Sequence, residues 1–229
     1  MKTKLIFLHG GPGFRDYLRP YFYQLDGAFN CIFYDQGRGS NVSVEDLLCE
    51  LESKIGDSMP VLVGHSWGGV LATEFASRHE KKISGLAFMS TGLSHIQWHD
   101  YRDHLEKFGL ADAPMEKIVL AANDPPSAGA FLTDVDVSFS EETFDSLYDN
   151  YLTRFDLTEA VRHLSLKTVS IFGDRDLRFS PRIAQQIEAL NPRIKSHQIA
   201  GAGHFPFLQK QARETIHQIL LETFAHPCG

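Results

Sequence analysis

The sequence predicts an α/β fold, a mostly parallel sheet with helices on both faces and a helical segment inserted between two blocks of the core. Three observations predict it. Short apolar runs closed by glycine or aspartate alternate with amphipathic stretches over the first ninety or so residues, the pattern of βαβ units. The alternation then stops for about seventy residues that carry helical stripes and no strand signal. It resumes from Thr168 to the last helix.

The first run, Lys4 to Leu8, ends at His9-Gly-Gly-Pro, and the second, Asn30 to Tyr34, ends at Asp35-Gln-Gly-Arg-Gly-Ser40. Both read as buried parallel strands, because neither alternates in polarity. Ser43 with Asp46 three residues on forms a capping box, and Val44, Leu47, Leu48 and Leu51 follow at helical spacing before Gly56. Pro60 to Val63 is the next strand, Val70 to Arg78 the next helix, and Ile83 to Met89 a further strand. In the insertion, Trp98, Tyr101, Leu105 and Phe108 form one stripe. Phe144, Leu147, Tyr148, Tyr151, Leu152 and Phe155 form another behind a Ser140 cap, with the turn residues 124–129 between the two. Thr168 to Phe172 is a strand, Pro181 to Leu190 a helix with proline in its first turn, Lys195 to Ile199 a strand, and Gln209 to Phe224 the last helix. The expected organisation is a core of residues 1–94 and 164–229 with residues 95–163 as a helical cap inserted in it.

Composition narrows the function. The 229 residues suit one domain with an insertion, and 43% hydrophobic with 22% charged residues is a globular balance, which argues against disorder. A formal charge of −7 without any block of like charges argues against a nucleic-acid footprint. The apolar run after Met1-Lys-Thr-Lys4 is too short for a signal peptide and no stretch is long enough to span a bilayer, so the expectation is a cytoplasmic protein. Cys31, Cys49 and Cys228 lack metal-ligand spacing, and the first two sit in apolar periodic segments where a cysteine is expected to be a small buried hydrophobe. No metal and no cofactor is expected.

Gly64-His-Ser-Trp-Gly68 matches G-x-S-x-G between a predicted strand and a predicted helix, the context in which such a serine stands exposed on a sharp turn. A serine hydroxyl needs an imidazole to take its proton and a carboxylate to orient that imidazole. Gly173-Asp-Arg-Asp176 follows one later strand and Gly201-Ala-Gly-His204 follows the last, so Ser66, an aspartate and His204 occur in the order serine, acid, histidine. His204 is the one of the eleven histidines directly behind a Gly-Ala-Gly turn at a strand end. A developing oxyanion needs backbone N–H donors, and the amide of Gly11 in His9-Gly-Gly-Pro-Gly13, paired with that of Trp67, is the expected pair. His9 and His65 read as supporting residues rather than proton carriers. The early glycines fit neither a phosphate-binding G-x-x-x-x-G-K-[ST] nor a G-x-G-x-x-G fingerprint.

These motifs resemble the α/β-hydrolase superfamily across nearly the whole chain. HGGPG at 9–13, the DQ turn at 35–39 and the GxSWG elbow at 64–68 resemble its proline iminopeptidases in particular. Three departures stand beside that likeness. The turn reads Asp35-Gln-Gly-Arg-Gly, the elbow carries His65, and the cap shows no Trp-Glu pair of the kind that grips a free amino group. Glu141 and Glu142 are better read as first-turn helix charges. Serine at the elbow excludes the aspartate-nucleophile branches, the dehalogenases and epoxide hydrolases. The family pattern G-x-x-D selects Asp176 over Asp174 as the acid.

The family opens on an antiparallel hairpin, whereas this sequence starts on the strand before the HG loop, so the sheet is expected to have about six strands. That leaves Asn30 to Tyr34 at the edge, where its apolar side chains imply a homodimer or another cover. The leading expectation is a serine hydrolase acting through an acyl-enzyme on a small, largely apolar ester, thioester or lactone. A proline iminopeptidase-like aminopeptidase and a non-enzymatic ligand-binding protein on the same fold are the alternatives.

Overall fold

The computed structural model describes residues 2–99, 105–106, 109–110, 139–180 and 182–225. Six parallel strands form one sheet in the order β2-β1-β3-β4-β5-β6: β1 Lys4–Leu8, β2 Asn30–Phe33, β3 Val61–His65, β4 Gly85–Met89, β5 Lys167–Gly173 and β6 Lys195–Ile199. The strand count and the parallel pairing match the sequence expectation. Side chains alternate across the sheet, so Ile6 and Leu8 of β1 enter one core while Leu5 and Phe7 enter the other. The first core is closed by α2 (Val44–Ile55), α3 (Trp67–His79) and α7 (Arg182–Leu190), the second by α1 (Arg19–Phe22) and α8 (Lys210–Phe224).

Local chemistry accounts for the boundaries of α2. Ser43 Oγ accepts from the Asp46 amide and Asp46 returns a bond to the Ser43 amide, while Gly56 ends the helix at φ +58°. The expectation for the cysteines is corrected here. Cys49 is exposed and Cys31 only half-buried. Val44, Leu47, Leu48, Leu51 and Ile55 form the inward stripe of α2, and Cys49, a further 100° or so around from Leu48, falls off it.

Between β4 and β5 the described residues include α4 (His95–His99), α5 (Glu141–Leu147) and α6 (Thr158–His163). Ser140 caps α5 by accepting from the Thr143 amide, and a π-turn over Tyr148–Leu152 follows. The stripe predicted to continue to Phe155 runs on through that wider turn: Leu147, Leu152 and Phe155 are buried, and Phe144, Tyr148 and Tyr151 pack against the same core. Tyr101, Phe108, the 124–129 turn, Pro181 and Cys228 lie outside the described residues. α5 rests on core loops through three bonds: Ser140 N–H to Gly13 O at 2.9 Å, Gly39 N–H to Thr143 Oγ1 at 2.9 Å, and Ser146 Oγ–H to Val42 O at 3.0 Å.

β2 forms one edge of the sheet. Cations of the same chain stand over the aromatic side chains at its end, the Arg19 guanidinium 5.1 Å from the Phe33 ring and Lys54 Nζ 5.3 Å from that of Tyr34, the residue after β2. Among the described residues no helix is long and apolar enough to cross a membrane.

Candidate active site

In the strand order, β1 leads outward to β2 on one side and lies against β3 on the other, so the crevice where the winding reverses opens between the C-terminal ends of β1 and β3. Register brings the sequence motifs to that place. Leu8 pairs with Gly64, so the His9-Gly10-Gly11 loop and the elbow leave the sheet side by side, and Gly173 pairs with Ile199, which does the same for the Asp176 turn and the His204 loop.

Ser66 occupies the turn between β3 and α3 at φ +53°, ψ −117°, a costly conformation for a residue with a Cβ. The turn is tight enough to demand its glycines. A Cβ on Gly68 would lie 2.1 Å from Leu8 O, and one on Gly64 would lie 2.3 Å from Gly68 O. The Ser66 amide donates to Met89 O at 2.9 Å, and the Ser66 carbonyl accepts from Gly69 and Val70 as α3 begins. α3 therefore starts at Trp67, three residues before the expected start at Val70.

His204 Nε2 lies 3.2 Å from Ser66 Oγ and its Nδ1 lies 3.2 Å from Asp176 Oδ2. All three side chains are buried. The other carboxylate oxygen of Asp176 accepts from the amides of Arg178 at 2.8 Å and Phe179 at 2.9 Å, which fixes the plane of the group. Burial pushes the Asp176 carboxyl up, but the His204 charge and hydrogen bond together with those two amides outweigh it and hold its pKa below the ordinary carboxylate value. Asp174 is exposed and accepts from the Gly201 amide at 2.7 Å, which ties the β5 turn to the β6 turn.

Of the five residues expected from sequence, Ser66, His204 and Asp176 are thus joined in one hydrogen-bonded chain. Trp67 is the first residue of α3, where a helical amide has no carbonyl one turn back to bond. Gly11 stands in the loop after β1 at φ +132°, a conformation open to glycine and strained for other residues.

Two residues that sequence reasoning passed over complete the surroundings. Gln36 bridges both loops: its amide donates to His9 Nε2 at 3.1 Å, its side-chain N–H to His9 O at 2.9 Å, and its Oε1 accepts the Trp67 indole N–H at 2.9 Å. Its signal is the Asp-Gln dipeptide of the 35–39 turn, which matches the family pattern without revealing these contacts. Tyr17 bonds both the Gly10 amide and His65, and no pattern in the sequence singled it out. Beside the loop after β1, Phe14, Phe139, Phe144 and Tyr148 form a chain of rings with centroids 5.2, 5.8 and 5.6 Å apart. Among the described residues no cluster of three or more His, Cys, Asp or Glu could hold a metal ion.

A sequence model described as the alpha/beta hydrolase family matches residues 5–217. The chain belongs to the α/β hydrolase family. Within that family it is 37% identical over 108 residues to a proline iminopeptidase of Saccharolobus solfataricus, a match that takes in 41% of this chain and 34% of that relative. Matches to two further curated relatives take in 42% and 36% of their lengths, so this α/β hydrolase chain spans well under half of each. Among solved structures, the proline iminopeptidase-related protein of Thermus thermophilus superposes with a TM-score of 0.81 at 19% identity, over 97% of this chain and 90% of that one. An esterase of Thermogutta terrifontis superposes with a TM-score of 0.77 at 21% identity, over 98% and 91%.

The buried histidines carry a stability prediction. Burial lowers the pKa of His9 from 6.5 to about 4. Burial, with the His204 charge adding to it, lowers that of His65 from 6.5 to about 3. Below pH 6.5 the unfolded chain takes up protons that these folded-state imidazoles refuse, so stability falls as pH falls, by about 1.4 kcal/mol per pH unit for each refused proton. The loss levels off only as the folded-state values near 4 and 3 are passed. His197 and His217 are shifted in the same direction, chiefly by burial. Denaturant melts between about pH 6.5 and 4.5, above most carboxylate titrations, should show the decline, and His9→Gln should make it shallower. A level profile in the wild type contradicts the assignment.

Proposed function

We propose that this protein is a serine hydrolase that cleaves a small, largely apolar ester, thioester or lactone through an acyl-enzyme, with residues 95–163 serving as the cap over the site. The observation that carries the reading is the chain from Ser66 Oγ through His204 to Asp176, each link 3.2 Å, at the end of a strained strand-to-helix turn. Ser66 Oγ forms a bond to the carbonyl carbon while His204 Nε2 takes the hydroxyl proton. The carbonyl oxygen becomes an oxyanion held by the Gly11 and Trp67 amides. Collapse breaks the bond to the leaving alcohol or thiol, which receives the proton from His204. Water then attacks the acyl carbon with His204 again as base, and the bond to Ser66 Oγ breaks to release the acid while His204 returns the proton to that oxygen. Asp176 accepts the Nδ1 hydrogen bond throughout, holding the ring in the productive tautomer.

The ring chain from Phe14 to Tyr148 supports an apolar acyl or alkyl group. A second reading, an aminopeptidase acting on an N-terminal proline, is favoured by the name of the 37% identical relative. Against it, Glu141 and Glu142 are exposed in the first turn of α5, where they complement the helix dipole. A fluorophosphonate probe should label the wild type and leave Ser66→Ala unlabelled. Short-chain nitrophenyl esters should be turned over faster than proline arylamide. The reverse preference establishes the aminopeptidase, and no labelling with no turnover establishes a binding protein.

A further inference from the structure

We propose that Tyr17 and His65 are positioning residues that tie the His204 loop and the loop after β1 to the end of β3 beside Ser66, an inference that rests on the hydrolase reading of that site. Their hydrogen bonds can run in one direction only. His65 Nε2 lies 2.8 Å from the carbonyl oxygen of His204, which can only accept, so this nitrogen carries the ring proton. Nδ1 is then a bare acceptor and receives the Tyr17 hydroxyl proton across 2.6 Å. The Tyr17 oxygen in turn accepts the Gly10 amide proton across 2.7 Å.

The relay therefore joins three segments beside the reacting groups. Gly10 directly precedes Gly11, His65 directly precedes Ser66, and the carbonyl belongs to His204 itself. The ladder between β1 and β3 ends at the Leu8 and Gly64 pair, so beyond it side-chain bonds such as these hold the loop after β1 against the elbow and the His204 loop. Tyr17 is 1% exposed and His65 0%, and their rings meet edge-on at 5.7 Å, with Phe205 4.8 Å from His65 and 5.7 Å from Tyr17. His65 stays neutral through the working range, so it trades no proton with His204 and acts by geometry. Displacing a reacting group by about 1 Å is enough to cost on the order of 10²-fold in rate.

The test compares Tyr17→Phe, His65→Leu and His65→Gln with wild type for kcat and KM on a nitrophenyl ester, with Ser66→Ala as the blank. His65→Leu should lose on the order of 10²-fold in kcat, and Tyr17→Phe about tenfold, with KM little changed. His65→Gln, whose amide N–H can stand in for Nε2–H, should recover about tenfold over His65→Leu. Imidazole ¹⁵N spectra of the wild type should show His65 as the Nε2–H tautomer from about pH 5 to 9, a readout independent of turnover and of whether the variants fold. The proposal is overturned by an Nδ1–H tautomer, by folded variants that keep wild-type kcat, by losses confined to KM, or by His65→Gln no better than His65→Leu. A Ser66→Ala blank that retains activity overturns the hydrolase reading and this inference with it. A dead blank beside fully active Tyr17→Phe and His65→Leu removes the positioning role alone.

Discussion

Ser66→Ala and His204→Ala should each lower kcat by on the order of 10⁴-fold or more, and the double variant should be little worse than either. The reason lies in the order of events. Without Ser66 there is no oxygen to form the acyl bond, and without His204 the hydroxyl keeps its proton, so either loss closes the same path and leaves the second nothing further to remove. On the proposed mechanism, any residual turnover should come from the Gly11 and Trp67 amides, which neither substitution touches and which would still polarise a carbonyl for attack by water. Steady-state kinetics on one ester with all three variants is the measurement. Losses that add in the double variant argue against a shared path. Ser66→Ala should melt close to wild type, because alanine meets the same positive φ with one polar atom fewer. His204→Ala should melt lower, since it empties a buried site between the rings of His65, Phe179 and Phe205 at centroid distances of 5.0, 5.6 and 5.1 Å.

Most of the sheet was legible because β1 to β5 are short, largely apolar runs that end at turn residues, while the polar β6 was legible from its place between a helix and the Gly201-Ala-Gly turn. β1 and β6 fall on the residues the pattern predicts, while β2 stops one residue short of Tyr34. The hydrogen-bonded chain was legible because its chemistry demands particular residue types at strand ends in a particular order, and Ser66, Asp176 and His204 satisfy that order. α1 was not legible, since a four-residue helix is too short to establish a period. The stripe from Phe144 to Phe155 was legible, but the π-turn at Tyr148–Leu152 within it was not, because one wider turn shifts the period too little to break the apolar pattern. Tyr17 and Gln36 act across loops, through partners 48 and 27 residues away in sequence; nothing local marks Tyr17, and the Asp-Gln dipeptide marks a turn without telling which loops its side chain will join. Cys49 is a different kind of miss. The stripe of α2 already put it on the outer face, and the general tendency of cysteine to be buried was given more weight than the helix period.

Asp176→Asn should cost on the order of 10⁴ in kcat, whereas Asp174→Asn should leave the rate nearly unchanged. The two carboxylates are two residues apart in one turn, yet their partners separate them. Asp176 Oδ2 faces His204 Nδ1 at 3.2 Å, and its Oδ1 is held by the amides of Arg178 and Phe179 at 2.8 and 2.9 Å. An asparagine there can keep its oxygen on the two amide donors and must then turn its NH₂ toward His204. That donor forces Nδ1 to give up its proton and accept, so the proton moves to Nε2 and the nitrogen facing Ser66 can no longer take the hydroxyl hydrogen. The fold survives because shape and amide bonds are retained. Asp174 points its carboxylate instead at the Gly201 amide, 2.7 Å away, and an asparagine oxygen can accept that bond equally well. Its loss of charge is felt at an exposed turn where solvent screens it, so the expected effect is a small change in melting temperature. Kinetics of the two variants on one ester, with circular dichroism to confirm the fold, decide the matter. If Asp174→Asn proved the slower enzyme, the acid would have to be reassigned while the roles of Ser66 and His204 could stand.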